Sequence, residues 1–430
     1  MKRPTPQSCS RRSFLQRCAL ASAVTSFPLI LPREVFARPG QPGPNDRLQI
    51  GFIGVGGRAR WIMKKEALPG AEIVSVADCY LRKCDEAATQ VEGGSKWKKY
   101  QHYRKMLETE KLDAVFVETT THARVLACMD SLLAGLDVYA EKPQSLTVTE
   151  GRALVRAVKK TGRVLQTGSQ QRSMPINMHA SKLVRDGAIG KVHTVITCNF
   201  APGKKWIARD TPDELPQGLD WDHWCNQTEL RPYYLELYAG WGDLVDYDGG
   251  GQSWGVTGWG THSLDQVQCA IGKDDTGPVE IWPTEKGPRC PITMKYADGT
   301  LVKLEGKNRG MEDLGAIFIG DKGKIEILRG DYTADPKELR DNAPPVTPQG
   351  DREAIPHIEN FFACIRSRKQ PIADAETGHR ATTLCHLVNI CRDVQRKLQW
   401  DPEKEVFVGD EEANKLLSRP RRKGYELPKV

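Results

Sequence analysis

Between residues 48 and 166 the chain alternates short apolar runs with amphipathic segments. The apolar runs are LQIGFIG (48–54), EIVSVA (72–77), DAVFVE (113–118), DVYA (137–140) and RVLQTG (163–168). The segments between them, such as 122–134 and 149–160, have apolar positions at helical spacing. Strands that are apolar throughout and alternate with helices are typical of a parallel sheet covered on both faces. The pattern predicts an α/β domain with a doubly wound Rossmann sheet over residues 46–168.

After residue 168 the pattern changes. KVHTVITCNF (191–200) alternates β-forming residues, and turn residues at 297–299 and 320–323 separate further pairs of such runs. Two alternating runs joined by a short Gly-containing turn predict a hairpin. Residues 169–430 are therefore expected to form a second, α+β domain with a mostly antiparallel open sheet.

The N-terminus has the features of an export signal. Residues 10–16, SRRSFLQ, have the twin-arginine pattern, an apolar stretch follows at 18–30, and VFA (35–37) offers a small-residue cleavage site. We expect a signal peptide at 1–37, a Pro/Gly linker at 38–45, passage through the twin-arginine machinery and a periplasmic or otherwise exported protein. An amphipathic helix of a cytosolic protein is the alternative. No apolar run long enough to cross a membrane follows.

Charge and cysteine usage narrow the classes of partner. The chain has 62 Lys and Arg against 55 Asp and Glu, and the excess lies mostly in residues 1–37. Because positive and negative residues are nearly balanced in the rest of the chain, we do not expect nucleic acid as a partner. The basic run 419–423 is interpreted as a solvated tail rather than a polyanion site. None of the twelve cysteines forms a CxxC pair or a Cys/His cluster with zinc spacing, so we expect buried free thiols and no metal site.

A tryptophan-rich stretch interrupts the second domain. It contains six of the ten tryptophans: Trp206, Trp221, Trp224, Trp241, Trp254 and Trp259. Indole rings stack on the faces of sugar rings, and they also fill the core of irregular segments. Both roles stay open, and we expect one or two of the six to reach a ligand.

A glycine-rich turn directly follows the first apolar strand. Gly54-Val55-Gly56-Gly57-Arg58-Ala59 fits the GxGxxG/A fingerprint and opens a helix. In this fingerprint the first glycine permits the tight turn, the second lets the backbone approach a pyrophosphate, and the small third residue lets the helix pack closely on the strand. The free N–H groups at the helix start face the phosphate charge. The turn predicts a nicotinamide dinucleotide site.

Asp78 favours NAD over NADP. It ends the second apolar run, 24 residues after Gly54. A carboxylate at this place accepts hydrogen bonds from ribose hydroxyls and repels a 2′-phosphate. Arg82 follows close behind and is a candidate partner for that phosphate, so NADP is kept as the alternative.

Three further motifs lie where ligands bind. Thr119-Thr120-Thr121-His122 and Glu141-Lys142-Pro143 each follow an apolar strand, and the carboxyl ends of parallel strands are where an open α/β sheet binds its ligand. GTHSLD (260–265) begins a helical segment of the second domain and holds His262 and Asp265.

With these motifs in this order, the sequence resembles the Gfo/Idh/MocA oxidoreductase family. The resemblance covers nearly the whole chain after the leader and includes HIENFF (357–362) and DAETGHR (374–380). It implies an NAD(P)-dependent oxidoreductase that acts on a sugar or polyol with a tightly held nicotinamide, in a homo-oligomer.

The resemblance also implies roles for individual residues. Lys142 is expected beside the nicotinamide and the reacting carbinol, and the Lys142–Pro143 peptide is expected to be cis. His262 is expected to act as general base, with Asp265 orienting its imidazole or binding another hydroxyl. Further contacts are expected from two sets: Thr119, His122 and Glu141 at the cofactor, and Gln170, Gln171 and Arg172 at the substrate.

Two positions differ from the pattern of many relatives. Gly258 stands where they carry an Asp four residues before the His, and Ala123-Arg124 stands where they have an aromatic residue and a His. The glycine leaves open a glycosidase that uses bound NAD transiently, by oxidation, elimination, addition of water and reduction. A non-catalytic sugar-binding protein is the other rival, against which Lys142, His262 and Asp265 together argue. Three more histidines are interpreted as structural: His357, His379 and His386.

Overall fold

The computed structural model describes residues 47–430 except 66–67, 69, 250–254, 308–313, 349 and 351–352. The expected signal peptide and linker, together with Trp254, lie outside the described residues. No helix in the described part of the chain is both long and apolar enough to cross a membrane.

The first half of the described chain forms a six-stranded parallel sheet. Its strands are β1 (Leu48–Ile53), β2 (Ala71–Ala77), β3 (Lys98–Tyr100), β4 (Ala114–Val117), β5 (Asp137–Ala140) and β6 (Leu165–Thr167). They lie in the order β3-β2-β1-β4-β5-β6, and every neighbouring pair is parallel. The predicted Rossmann sheet is thus confirmed. Only β3 escapes the apolar pattern, because it is an edge strand with the polar sequence KKY.

The second sheet has nine strands. They are β7 (Val192–Cys198), β8 (Glu280–Pro283), β9 (Ile292–Lys295), β10 (Leu301–Gly306), β11 (Ala316–Gly320), β12 (Gly323–Leu328), β13 (Asp331–Asp335), β14 (Leu398–Asp401) and β15 (Val406–Phe407). Their order is β13-β12-β11-β7-β10-β9-β8-β14-β15, with β7 and β10 as the one parallel pair. Both predicted hairpins are present, as β9–β10 and β11–β12.

Twelve α-helices accompany the sheets among the described residues. They are α1 (Gly57–Lys65), α2 (Leu81–Gln90), α3 (Tyr103–Thr109), α4 (Thr121–Leu133), α5 (Val148–Thr161), α6 (Pro175–Arg185), α7 (Trp221–Cys225), α8 (Leu235–Gly240), α9 (Trp259–Ile271), α10 (Ile355–Ser367), α11 (Ala375–Val394) and α12 (Glu411–Lys415). Short 3-10 turns lie at Gly94–Lys96, Gln170–Ser173, Trp241–Asp243 and Lys337–Arg340.

Helix α10 belongs to the later part of the sequence but packs on the first sheet. The rings of Phe361 and Phe362 lie 6.0 and 6.2 Å from that of Phe116 on β4. Nearby, Gln166 Nε2 on β6 donates to the carbonyl of His357, 2.6 Å away. Residues 48–430 accordingly form one compact unit. The change of pattern at residue 168 marks the end of the parallel sheet, not the end of the chain's contacts with it.

The stretch 199–258, between β7 and α9, is called the insertion below. An aromatic cluster stabilises it, in which Trp221 and Trp224 stack at 4.5 Å. The basic run at 419–423 is fastened to it: Arg422 pairs with Asp222, and Arg419 Nη1 donates to the carbonyl of Val245 at 2.6 Å. Arg421 pairs with Glu150 on α5. The expectation of a solvated tail is therefore wrong, because these arginines are bound to the folded chain. The sequence pattern does not show this, since their partners lie far away in the sequence.

Candidate functional site

A cavity of about 620 Å³ lies at the carboxyl ends of the first sheet's strands. Residues that follow β1, β2, β4 and β5 line one part of it, and side chains of the insertion and of α9 line another. Its volume is in the range of small-molecule and cofactor sites.

The glycine turn opens into this cavity. Gly54 has φ +86°, and a Cβ there would lie 2.8 Å from the backbone carbon of Glu118, so no side chain fits. At Gly56 and Gly57 a Cβ would meet nothing within 4 Å, which leaves their backbone N–H groups open at the start of α1. Ala59 is fully buried between helix and strand. These residues fit a dinucleotide pyrophosphate, as the fingerprint predicts.

Asp78 lines the cavity with an ordered carboxylate. Its oxygens accept from the backbone N–H groups of Val55, at 2.8 Å, and Tyr80, at 2.9 Å. Arg82 turns away into an exposed pair with Glu86. The cation that lines the cavity near Asp78 is instead Lys83, whose Nζ lies 4.8 Å from the centre of the Tyr238 ring.

Arg58, Glu141 and Lys142 form a cluster of charged side chains at the cavity. Arg58 Nε and Glu141 Oε1 are 2.8 Å apart, and the Lys142 N–H donates to the other Glu141 oxygen. Burial tends to raise the pKa of Glu141, but the charges of Arg58 and Lys142 outweigh it and hold that pKa below its usual range. Glu118 is also buried, and neither of its carboxylate oxygens has a hydrogen-bond partner among the described residues. Burial and the charge of Glu141 raise the pKa of Glu118 well above its usual range.

Lys142 and His262 line the same cavity from opposite elements. Lys142 follows β5 in a cis Lys142–Pro143 peptide, as the resemblance implies, and its Nζ donates to the carbonyl of Gly258 at 3.2 Å. His262 projects from α9, and its Nδ1 has no partner within the described chain. Burial and the charge of Lys142 lower the pKa of His262 well below its usual range, so the imidazole is neutral. Burial also lowers the pKa of Lys142.

Asp265 does not take the place expected for it. Arg172 Nε lies 2.9 Å from each Asp265 carboxylate oxygen, and the same guanidinium pairs with Asp274 at 2.7 Å. Neither Arg172 nor Asp265 lines the cavity. The expectation that Asp265 orients His262 is therefore corrected: the Asp265 carboxylate is occupied by a buried arginine. Of the three residues at 170–172, only Gln170 lines the cavity.

His122 is likewise not a cofactor contact. Its ring packs between Trp224 and Tyr247, with Nε2 2.8 Å from the carbonyl of Trp224, and it does not line the cavity. Burial lowers the pKa of His122 to about 4. Two nearby residues do line the cavity: Thr119, which follows β4, and Arg124 on α4, whose Nη2 donates to the Thr119 carbonyl at 2.7 Å. The histidine ring faces away because it fills the interface between α4 and the insertion.

The insertion supplies cavity side chains that the sequence pattern does not reveal. Of the five described tryptophans in this stretch, three line the cavity: Trp224 and Trp241 in the insertion, and Trp259 at the start of α9. Asp248 also lines it and is 2% exposed. Among the cavity residues that sequence reasoning missed are Lys83, Glu118, Asp248, Arg329 and Glu353. The sequence could have indicated Glu118, because this residue directly precedes the Thr119 motif. Asp248 lies in an irregular turn that carries no periodic signal.

The remaining histidines have structural contacts. His357 Nε2 lies 2.8 Å from the carbonyl of Thr167, and His379 Nε2 lies 2.6 Å from Glu405. His386 is buried on α11. All ten described cysteines are free thiols, and nine of them are buried. The described residues contain no group of three or more His, Cys, Asp or Glu side chains placed to hold a metal ion.

Two family models match the chain along almost all of its described length. Residues 48–169 match the NAD-binding Rossmann fold of an oxidoreductase family, and residues 175–427 match that family's C-terminal alpha/beta domain.

Among curated proteins, the scyllo-inositol 2-dehydrogenase (NAD(+)) of Bacillus subtilis is 30% identical over 125 residues, which is 29% of this chain and 36% of that protein. The D-apiose dehydrogenase of Paraburkholderia graminis is 32% identical over 123 residues, 29% of this chain and 32% of that one. The chain thus matches only about a third of the length of each relative.

Solved structures share the fold over most of both chains. The WlbA dehydrogenase from Bordetella pertussis, in complex with NADH and UDP-GlcNAcA, has a TM-score of 0.58 at 16% identity and covers 83% of this chain and 99% of that one. The aldose-aldose oxidoreductase from Caulobacter crescentus, complexed with glycerol, has a TM-score of 0.56 at 19% identity and covers 82% and 99%.

Proposed function

Since the chain belongs to the Gfo/Idh/MocA oxidoreductase family, we propose that it oxidises a hydroxyl-bearing carbon of a saccharide or polyol, or reduces the corresponding carbonyl. One observation carries the proposal: the glycine turn, Lys142 and His262 open into a single cavity. The names of the relatives, an inositol dehydrogenase and an apiose dehydrogenase, support a substrate with several hydroxyls.

The side chains in the cavity divide the work of such a reaction. A nicotinamide dinucleotide bound on the glycine turn supplies the reversible two-electron chemistry. Oxidation of a carbinol also releases the hydroxyl proton, and the neutral imidazole of His262, which lines the cavity, accepts it. Lys142 Nζ, as an ammonium, donates a hydrogen bond to the same oxygen and stabilises the negative charge that develops on it.

The cofactor proposed is NAD. Asp78 places a carboxylate where ribose hydroxyls bind, and the N–H groups of Val55 and Tyr80 hold that carboxylate in position. Lys83 favours the alternative, NADP, since it is a cation that lines the cavity near Asp78 and can bind a 2′-phosphate.

We also propose that the protein is exported by the twin-arginine route and retains its cofactor through the catalytic cycle. The SRRSFLQ motif at 10–16 supports export in the folded state. Free NAD is scarce outside the cytoplasm, so an exported enzyme must regenerate its nicotinamide in place. A second sugar substrate would do so, and so would the oxidation, elimination and reduction cycle of a glycosidase.

The test starts from protein purified by gel filtration, to remove free nucleotide. Denaturation should release NAD or NADH, identified by mass spectrometry. The protein is then assayed with sugar pairs and glycosides in the absence of added NAD. Lys142→Ala and His262→Ala should each lower kcat/KM by about 10²–10⁴-fold while dinucleotide stays bound. Lys105→Ala, at an exposed lysine on α3, is the control and should leave turnover unchanged.

The products separate the alternatives. One oxidised and one reduced sugar indicate regeneration by a second substrate, whereas a hydrolysed glycoside indicates the transient-oxidation glycosidase. Activity that returns only with stoichiometric NAD would contradict cofactor retention. Full activity of Lys142→Ala or His262→Ala would remove that residue from the mechanism.

A further inference from the structure

Asp248 is a buried carboxylate in the proposed reaction cavity that no motif of the sequence points to. It follows the 3-10 turn Trp241–Asp243 and lies on the cavity wall with Lys142 and His262. Only 2% of its surface is exposed. A carboxylate this deeply buried needs hydrogen bonds and a nearby cation.

Two hydroxyl groups fix the Asp248 side chain from opposite sides. Thr121, at the start of α4, donates to Oδ1, and Thr257, just before α9, donates to Oδ2 at 3.1 Å. The carboxylate therefore joins the Rossmann part of the cavity to the helix that bears His262. Neither donor carries a charge, so the cation must come from elsewhere.

Two cations act on the Asp248 carboxylate, Lys142 and after it Arg124. Lys142 Nζ donates to the carbonyl of Gly258, the residue next to Thr257, which brings the amine to the Asp248 side of the cavity. The other charged or titratable groups that face this pair are Arg58 on α1, Arg124 on α4, Glu141 after β5, His262 on α9, and Cys385 and His386 on α11.

We propose that Asp248 is a positioning residue that acts with Glu141 to keep Lys142 in its cationic form in this cavity. The proposal rests on the proposed function, in which Lys142 donates to the substrate oxygen. At position 258 this chain offers Lys142 only a neutral carbonyl. Asp248 supplies a negative charge from the insertion.

The electrostatics have a definite sign. Burial lowers the pKa of Lys142, and the charges of Glu141 and Asp248 oppose that lowering. Burial raises the pKa of Asp248 to about 6, against the effects of Thr121 and Lys142, so Asp248 is anionic above neutral pH. Removing the charge of Asp248 takes away one of the negative charges near Lys142. The pKa of Lys142 then falls further, and the amine loses its proton at lower pH.

The test measures the protonation of Lys142 directly. The purified holoprotein is labelled with a trace of acetic anhydride over a range of pH, and mass spectrometry follows acetylation of the Lys142 peptide, because only the neutral amine reacts. Asp248→Asn should move the labelling midpoint of Lys142 to lower pH by about one unit, the size expected from loss of one nearby opposite charge. Asp243→Asn, at an exposed aspartate five residues away, should not move it.

The asparagine keeps the shape of the side chain: its amide oxygen accepts from one threonine hydroxyl, and its amide NH2 donates to the other. The variant is therefore expected to fold, and thermal unfolding checks this. An unchanged midpoint in Asp248→Asn overturns the proposal. A second variant keeps the charge: Asp248→Glu retains a carboxylate at this place in the insertion. A midpoint close to that of the wild type in Asp248→Glu supports the role of the charge, and a midpoint equal to that of Asp248→Asn overturns it.

Turnover gives a second readout. In Asp248→Asn the limb of the kcat/KM profile that belongs to Lys142 should shift to lower pH by the same amount as the labelling midpoint. The labelling needs no substrate. A protein that turns over no sugar therefore contradicts the proposed function and leaves the result on Asp248 intact.

Discussion

The two sides of the cavity are built from different kinds of backbone. The strand-end side consists of residues that directly follow β1, β2, β4 and β5 and are held by the ladder of the parallel sheet. The insertion side comes from residues 199–258, whose regular elements in the described part are the short helices α7 and α8 and a 3-10 turn. Aromatic packing and the arginines at 419–422 hold this second side in place.

Because of this difference, substitutions on the two sides are expected to have different effects on stability and on ligand binding. On the strand-end side, backbone hydrogen bonds of the sheet hold each residue in place. A substitution there is therefore expected to change ligand binding locally and to leave the rest of the sheet intact. The described residues of the insertion form isolated β-bridges rather than a strand ladder, so a substitution there acts through loss of packing over the segment. The following variants test this contrast, from the largest expected effect to the smallest.

Trp224→Ala should be the most damaging single change on the insertion side. Trp224 is 6% exposed and stacks on Trp221, so its removal leaves a cavity inside the aromatic cluster. We expect the free energy of unfolding to fall by about 3–5 kcal/mol, measured by urea denaturation. Trp61→Ala, at a tryptophan 38% exposed on α1, should cost much less. Equal losses in the two variants would show that the cluster does not stabilise the insertion.

Gly54→Ala should break the strand-end side through its backbone. The φ of +86° and the 2.8 Å approach to the Glu118 carbon both oppose a methyl group. We expect a loss of about 1–3 kcal/mol in unfolding free energy and at least a tenfold loss of NAD affinity, measured by calorimetry. Gly93→Ala is the matched control, since its φ is +78° but a Cβ there meets nothing within 4 Å. It should leave NAD affinity unchanged.

Asp78→Ala should weaken NAD binding about tenfold, which corresponds to about 1.4 kcal/mol. Parallel calorimetry with NADP separates two causes. Loss of a ribose contact weakens NAD and not NADP, whereas loss of the hydrogen bonds to Val55 and Tyr80 weakens both. Asp85→Ala, at an exposed aspartate on α2, serves as control. An unchanged dissociation constant for NAD would refute the ribose role of Asp78.

Glu118→Gln should have the smallest effect, and that effect should depend on pH. The pKa of Glu118 is raised in the folded state, so the wild type loses stability as the pH rises above the unfolded-state pKa of this carboxyl. The variant should match the wild type near pH 4 and exceed it by on the order of 1 kcal/mol near pH 8, measured by thermal unfolding. Glu72→Gln, at an exposed residue on β2, should show no such difference. A pH-independent difference would contradict a burial-driven shift at Glu118.

The same contrast separates what the sequence could predict from what it could not. The parallel sheet, the hairpins and the glycine turn follow from apolar periodicity and local turn chemistry, which act over a few residues. His122 and Asp265 occur in the expected motifs, but their side chains are taken by partners far away in sequence: Trp224 for the first and Arg172 for the second. Asp248 escaped detection for the same reason, because only the folded chain brings it to Thr121, 127 residues away.

The pairing of Arg421 with Glu150 has a consequence for the timing of synthesis. The two residues are 271 positions apart, so a ribosome adding about 5–20 residues per second makes the arginine tens of seconds after the glutamate. By then the strands of the parallel sheet have long left the ribosome. Arg419 and Arg422, which fasten the insertion, are made in the same final moments. The contacts that fasten the insertion are therefore the last to form, after the strands of both sheets have been synthesised.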